Sequence, residues 1–249
     1  MADALPEYQY NLEDHLGNVR MTFTTNVDAE TFTATGELST QAAESDIFSN
    51  YSPVDRDVFD HTNSSATYRY AQLLHGGHNS QVAWAKSLSV MPGDTIKAEV
   101  YAKYQALENP GEGLAGFAAA LTSAFGLNGQ MAGDPKMAFD ALDDYGTLIA
   151  DGFDHSIYET APKAYLNVLL FDRDHNFVDA AYSQIGIDDE QGEDLLIKDP
   201  HGYLNIEKLV TMPGYAYIFL SNENPTQVDT YFDDLKLTHS ISPVVQRDD

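Results

Sequence analysis

Two short stretches hold side chains that could ligate a metal. Asp172-Arg-Asp-His-Asn176 has the D-x-D-x-N start of a calcium loop. Such a loop needs a glycine near its centre and a bidentate glutamate at its end, and Phe177 and Ser183 stand there instead. The stretch therefore reads as a turn between strands. His75-Gly-Gly-His78 offers two imidazoles that could hold zinc or copper, but no third ligand of the right kind lies nearby in sequence, so a flexible surface loop is expected. A third group of side chains suits sugars. An aromatic ring face stacks on pyranose C–H groups, and Trp84, the single tryptophan, has Tyr51, Tyr68 and Tyr70 near it in sequence. Each of these rings suits a core better than a sugar site, because tryptophan and tyrosine dominate cores anyway. No catalytic constellation stands out: G-x-S-x-G, H-E-x-x-H, a Walker loop and G-x-G-x-x-G are absent. A glycosidase-type carboxylate pair could hide among the 39 acidic residues, and the sequence neither places nor excludes one.

Composition bounds the partners. The chain has 249 residues, 43% of them hydrophobic, enough to fill a core, and no cysteine. Disulfides, thiolate nucleophiles and Cys-ligated zinc are thereby excluded. A charge of −26, from 13 basic and 39 acidic residues, argues against nucleic acid, which needs clustered Lys and Arg. The acidic residues are spread along the chain, which implies a solvated, self-repelling surface with any cation site local. No apolar run reaches the roughly 18–20 residues of a membrane span, and Leu114–Leu127 reads as a buried helix. The opening MADALPEY lacks the features of a signal peptide, and the ending SPVVQRDD suggests a fragment of a longer chain.

Period-two alternation dominates the elements that must position these side chains. Trp84–Val90 reads as a strand that ends at the turn Met91-Pro-Gly-Asp94. Thr95–Tyr104 follows with Ile96, Ala98, Val100 and Ala102 on one face. Further strands are expected at Arg20–Thr25, Thr31–Thr35, Ala164–Phe171, Phe177–Tyr182, Leu204–Val210, Tyr215–Leu220 and Thr230–Thr238. Between them, Leu114, Phe117, Ala118, Leu121 and Phe125 recur at helical spacing. Asp134 followed by Pro135 marks the start of a second helix. Many short strands without a helix after each one predict a mainly β fold, an antiparallel β-sandwich of jelly-roll type with a helical insertion over about 109–154.

Two resemblances sharpen this. Asp14-His-Leu-Gly-Asn-Val-Arg20 resembles the DHLGN-[TV]-R element of RHS/YD-repeat proteins of Bacteroidetes type. In that version the strand pairs with an aspartate-rich return strand, which the ending Pro243–Asp249 resembles. The resemblance implies three parts: a hairpin strand over 1–30, an inserted module over 31–240, and the return strand over 241–249. It also implies that the insertion's two ends lie close together. The module itself is similar to galactose-binding-like sandwiches, which include many carbohydrate-binding modules. Glu44–Asn50 resembles their opening strand, Lys86–Tyr101 their strand, Pro-Gly turn and strand, and Tyr231–Thr238 their closing strand. Those sandwiches often hold a structural Ca²⁺ between opening and closing strands. The resemblance carries that role to Glu44 and Asp234, with Asp46 and Asp233 as neighbours. Two carboxylates with backbone carbonyls can supply the oxygens Ca²⁺ wants.

The expectation is a noncatalytic, extracellular recognition or adhesion module that binds carbohydrate or a cell-surface glycan and is tied to the rest of a parent RHS chain. The alternatives are a structural insertion that decorates or seals an RHS toxin shell without a soluble ligand, and a polysaccharide-active enzyme.

Overall fold

A computed structural model of the chain describes residues 9–13, 19–24, 28–55, 70–77, 80–106, 113–114, 116–126, 131–190, 202–242 and 245–247. Within the stretch expected to supply one hairpin strand, 1–30, two strands lie paired antiparallel: Gln9–Glu13 (β1) and Val19–Thr24 (β2). Next come Ala29–Ala34 (β3), Gln41–Ser45 (α1), Pro53–Asp55 (β4), Tyr70–His75 (β5), Val82–Val90 (β6) and Thr95–Ala106 (β7). Two helices follow, Phe117–Gly126 (α2) and Pro135–Ala150 (α3). The chain then returns to strands at Ala164–Asp172 (β8), Phe177–Gln184 (β9), Gly202–Leu209 (β10), Gly214–Asn222 (β11), Val228–Ser240 (β12) and Val245–Arg247 (β13). The fold is mainly β, an antiparallel sandwich with a short helical insertion.

The larger sheet has six strands, in the order β10-β7-β12-β5-β4 with β3 also on β12. The sheet facing it has four, in the order β6-β11-β8-β9, and a separate three-stranded sheet has the order β1-β2-β13. The face expected on β7 is the observed one: Ile96, Ala98, Val100 and Ala102 are all fully buried between the sheets. In β8 and β11 the alternation serves two cores at once. Leu166, Val168 and Leu170 of β8, with Ala216, Ile218 and Leu220 of β11, point to the six-stranded sheet. Leu169, Phe171, Tyr217 and Phe219 point the other way, to the helices. That double burial is why these strands read as continuous apolar runs.

The helices answer with matching stripes. Phe117, Leu121, Ala124 and Phe125 of α2, and Ala138, Leu142, Tyr145 and Ile149 of α3, are buried against the four-stranded sheet. The side chain of Asp134 accepts the amides of Lys136 and Met137, and Pro135 takes the first helical position. Gly146 lets the two helices touch, since a Cβ there would lie 2.5 Å from Ala118 Cα. The helical insertion therefore covers the outer face of the four-stranded sheet.

One expected strand is absent. Glu44 lies within the short helix α1, because Ala43 and Glu44 donate back to the carbonyl of Thr40. Only Ser49 of the Glu44–Asn50 stretch joins a strand, through a bridge to Ala85. Conversely, β5 is a strand that its composition, buried on both faces, does not announce.

Entry and exit of the sandwich lie side by side. Ile241 N–H donates to Asp28 C=O at 2.7 Å, and β13 pairs antiparallel with β2. A buried carboxylate secures the exit. Asp94, closing the Pro-Gly turn in which Gly93 takes φ +94, accepts from Met91 N, from Ser242 N at 2.7 Å and from the His239 ring at 2.9 Å. Replacing it strands buried donors. Asp94→Ala is expected to cost roughly 3 kcal/mol of stability, read as a lowered denaturant midpoint with an unchanged slope.

Candidate functional site

A cleft of about 580 Å³ opens where the Phe48–Ser52 loop faces the end of β5 and the start of β6. That is within the usual size range of small-ligand pockets. Its floor is apolar, from Phe48, Leu74 and Val82, all buried. Its polar groups are Asn50, Ser52, Gln72, His75, Ser80 and, from α2, Ser123.

Each residue of the loop is held by a separate contact. Ser49 and Ala85 exchange backbone bonds of 3.0 and 3.1 Å. Asn50 takes a left-handed φ of 54°, and its side-chain amide donates to Val82 C=O at 3.0 Å. Ser52 N donates to the Gln72 side chain at 2.8 Å, and that amide returns a bond to Ser52 C=O at 3.2 Å. Tyr51 stacks on Trp84 with ring centroids 5.7 Å apart, and its hydroxyl donates to Glu44. Burial, and then the Glu44 carboxylate, push that hydroxyl far above the ordinary tyrosine range, so it stays a donor. Across the cleft, His75 Nδ1 is 2.7 Å from Asp229 Oδ1, the residue opposite it in β12. The polar groups are thus positioned before any ligand arrives, which lowers the ordering cost of binding.

Trp84 is corrected from a sugar platform to a core residue. It is fully buried, so no ring face is open to a ligand. The cause is a bulge: register passes from Lys86 opposite Ile218 to Ala83 opposite Leu220, leaving Trp84 and Ala85 to share Phe219. Trp84 takes φ 45° there, and its ring turns inward beneath Tyr51. Of the remaining tyrosines, Tyr51 lines the cleft, whereas Tyr70 sits half-buried at the start of β5, its N–H donating to Glu37. Tyr68 lies outside the described residues.

Of the residues named for calcium, Glu44 and Asp46 lie on and directly after α1, and Asp233 and Asp234 lie on β12. Glu44 is buried with both oxygens engaged: Oε2 accepts from Thr35 N at 2.9 Å and from Tyr51, and Oε1 from the Thr35 hydroxyl at 2.9 Å. Asp46 is exposed at the end of α1. Asp233 is buried, and Asp234, at φ 50°, interrupts the β12 register within a bulge. Among the described residues no three His, Asp or Glu side chains assemble into a metal-holding group. The Asp172 stretch is the expected turn, its carboxylate accepting from Asp174 N and Asn176 N at 2.9 Å each.

A second, shallower groove of about 370 Å³ lies on the outer face of the six-stranded sheet. Tyr203, 48% exposed, leans on Tyr101 at 5.2 Å, and its hydroxyl donates to Glu99. That bond pushes the phenol up to about 12, while Glu99, bonded first by Lys97 and then by Tyr203, is held below the usual carboxylate range. Thr33, Asp234 and Lys236 flank the pair. Tyr101 was findable in sequence, since it alternates with the inward face of β7. Nothing local marks Gln72, Ser80 or Ser123.

No protein-family model matches this chain, and no curated protein sequence matches it.

Trp84→Ala would empty a large buried site. It should lower stability by roughly 3–5 kcal/mol, seen as a drop in melting temperature without any ligand present.

Proposed function

We propose that the chain is a noncatalytic recognition module that binds carbohydrate in the Tyr51 cleft, within an extracellular RHS-repeat protein. The observation that carries this reading is the fixed wall of the cleft. An aromatic residue and convergent amide, hydroxyl and imidazole groups are held by independent contacts over an apolar floor. Sugars need that combination: a ring for their C–H faces and directional partners for their hydroxyls. The helices occupy the outer face of the four-stranded sheet, so recognition is left to the cleft and to the Tyr101–Tyr203 face.

The alternative, an insertion that decorates a shell and binds nothing soluble, draws on the adjacency of β2 and β13. A glycan array separates the two, run with and without EDTA to show whether calcium takes part. Ser123 is exposed and lines the cleft, so Ser123→Trp obstructs it without entering a core. The expected result is sugar binding that falls at least tenfold, about 1.4 kcal/mol, in Ser123→Trp at unchanged melting temperature. Silence across a broad array favours the shell role, and turnover of a polysaccharide would replace both readings with an enzyme.

A further inference from the structure

In the connection from α3 to β8, Phe153, Ile157 and Tyr158 are each about half exposed. Gln184 of β9 accepts from Ile157 N and Tyr158 N. His155 turns inward instead. Its side chain is 5% exposed, with its ring against Tyr165 at 4.5 Å and Tyr182 at 4.3 Å. Both ring nitrogens are buried, and neither has a hydrogen-bond partner. Glu223, directly after β11, is 2% exposed, and its Oε2 lies 3.5 Å from His155 Nε2. Its Oε1 accepts from the Ser221 hydroxyl at 2.7 Å. One such donor is far less than a lone buried charge needs.

We propose that His155 and Glu223 share one proton and serve as a pH-sensitive latch. Holding it, they seal the connection onto the end of β11; losing it to mild alkali leaves a lone buried carboxylate, which opens the connection to water. The surroundings set this count. With one proton the pair has no net charge, whichever atom carries it. With none, Glu223 is an anion facing a neutral ring; with two, His155 is a cation facing a neutral carboxyl. Burial pushes Glu223 up to about 8 and His155 down to about 4, so a neutral carboxyl facing a neutral ring is the resting form. Burial also raises the hydroxyls of Tyr165 on β8, Tyr182 on β9 and Tyr145 on α3, which stay protonated throughout. Asp154, paired with Lys163 at 2.8 Å, is held well below the usual carboxylate range, and the two charges offset each other.

Closed, the pair keeps one proton from about pH 4 to about pH 8. Released, with ordinary values of 6.5 for the ring and 4.5 for the carboxyl, it keeps one only between those two values and none above. The counts match from pH 4.5 to 6.5, so the latch is indifferent to pH there. From 6.5 to 8 the closed form holds one proton more, so it weakens about tenfold per pH unit.

The test is hydrogen exchange in wild type and Glu223→Gln, compared at matched pH so that intrinsic exchange cancels. The glutamine keeps an acceptor for Ser221 and stays neutral at every pH. In peptides spanning residues 152–158 the two chains are expected to exchange alike at about pH 6, and wild type at least tenfold faster at about pH 8.5. Equal exchange at the higher pH overturns the proposal, because the Glu223 charge then opens nothing. A second readout needs no variant. The His155 ring resonances, followed by NMR in wild type, should stay fixed from about pH 5 to about pH 7. A midpoint near the ordinary 6.5 overturns the proposal by itself.

Discussion

The structure depends on a single strand finding three partners. β12 pairs with β7 along nearly its whole length, and its other edge is shared, first by β5 and then by β3. Phe232, Leu235 and Leu237 project from it into the core between the sheets. The bulge between Asp233 and Lys236 falls where the far edge changes from β5 to β3. An extra residue there re-aims the strand and lets two separate neighbours meet one edge. β12 also comes late in the chain. Its hydrogen bonds close loops of more than a hundred residues, so the six-stranded sheet forms only after the four-stranded sheet's residues have been laid down.

The second constraint is that β8 and β11 are apolar on both faces. A sheet buried twice needs cover twice, and α2 and α3 supply the outer layer. Polar chemistry is thereby displaced to the rims. The Tyr51 cleft lies where α2 meets the edge of the sandwich. The cleft owes part of its wall to α2, through Ala120 and Ser123. The helical segment is thus a packing layer that also walls the cleft, while β5, β6 and the Phe48–Ser52 loop supply most of the side chains that face it.

Legibility followed locality. β7, the Pro-Gly turn and the start of α3 were readable because period, turn chemistry and cap each lie within a few consecutive residues. The Asp172 turn was readable for the same reason, by the failure of its calcium pattern. Trp84 was not, because its direction is decided by a bulge that exists only through the pairing of β6 with β11. Glu44 was misplaced because backbone bonds to Thr40 and side-chain bonds to Thr35 and Tyr51 draw it into a helical turn. The union of His75 with Asp229 spans residues that no window of sequence places together. Alternation alone did mark Tyr101 as outward-facing, and its partner Tyr203 came from register between β7 and β10.

The bond between Asp28 and Ile241 has a consequence for how such a module could spread. The segments that enter and leave the sandwich are only a hydrogen bond apart at Asp28 and Ile241, the gauge of an ordinary hairpin loop. Grafted between any pair of antiparallel strands, the unit would leave the register of its recipient undisturbed.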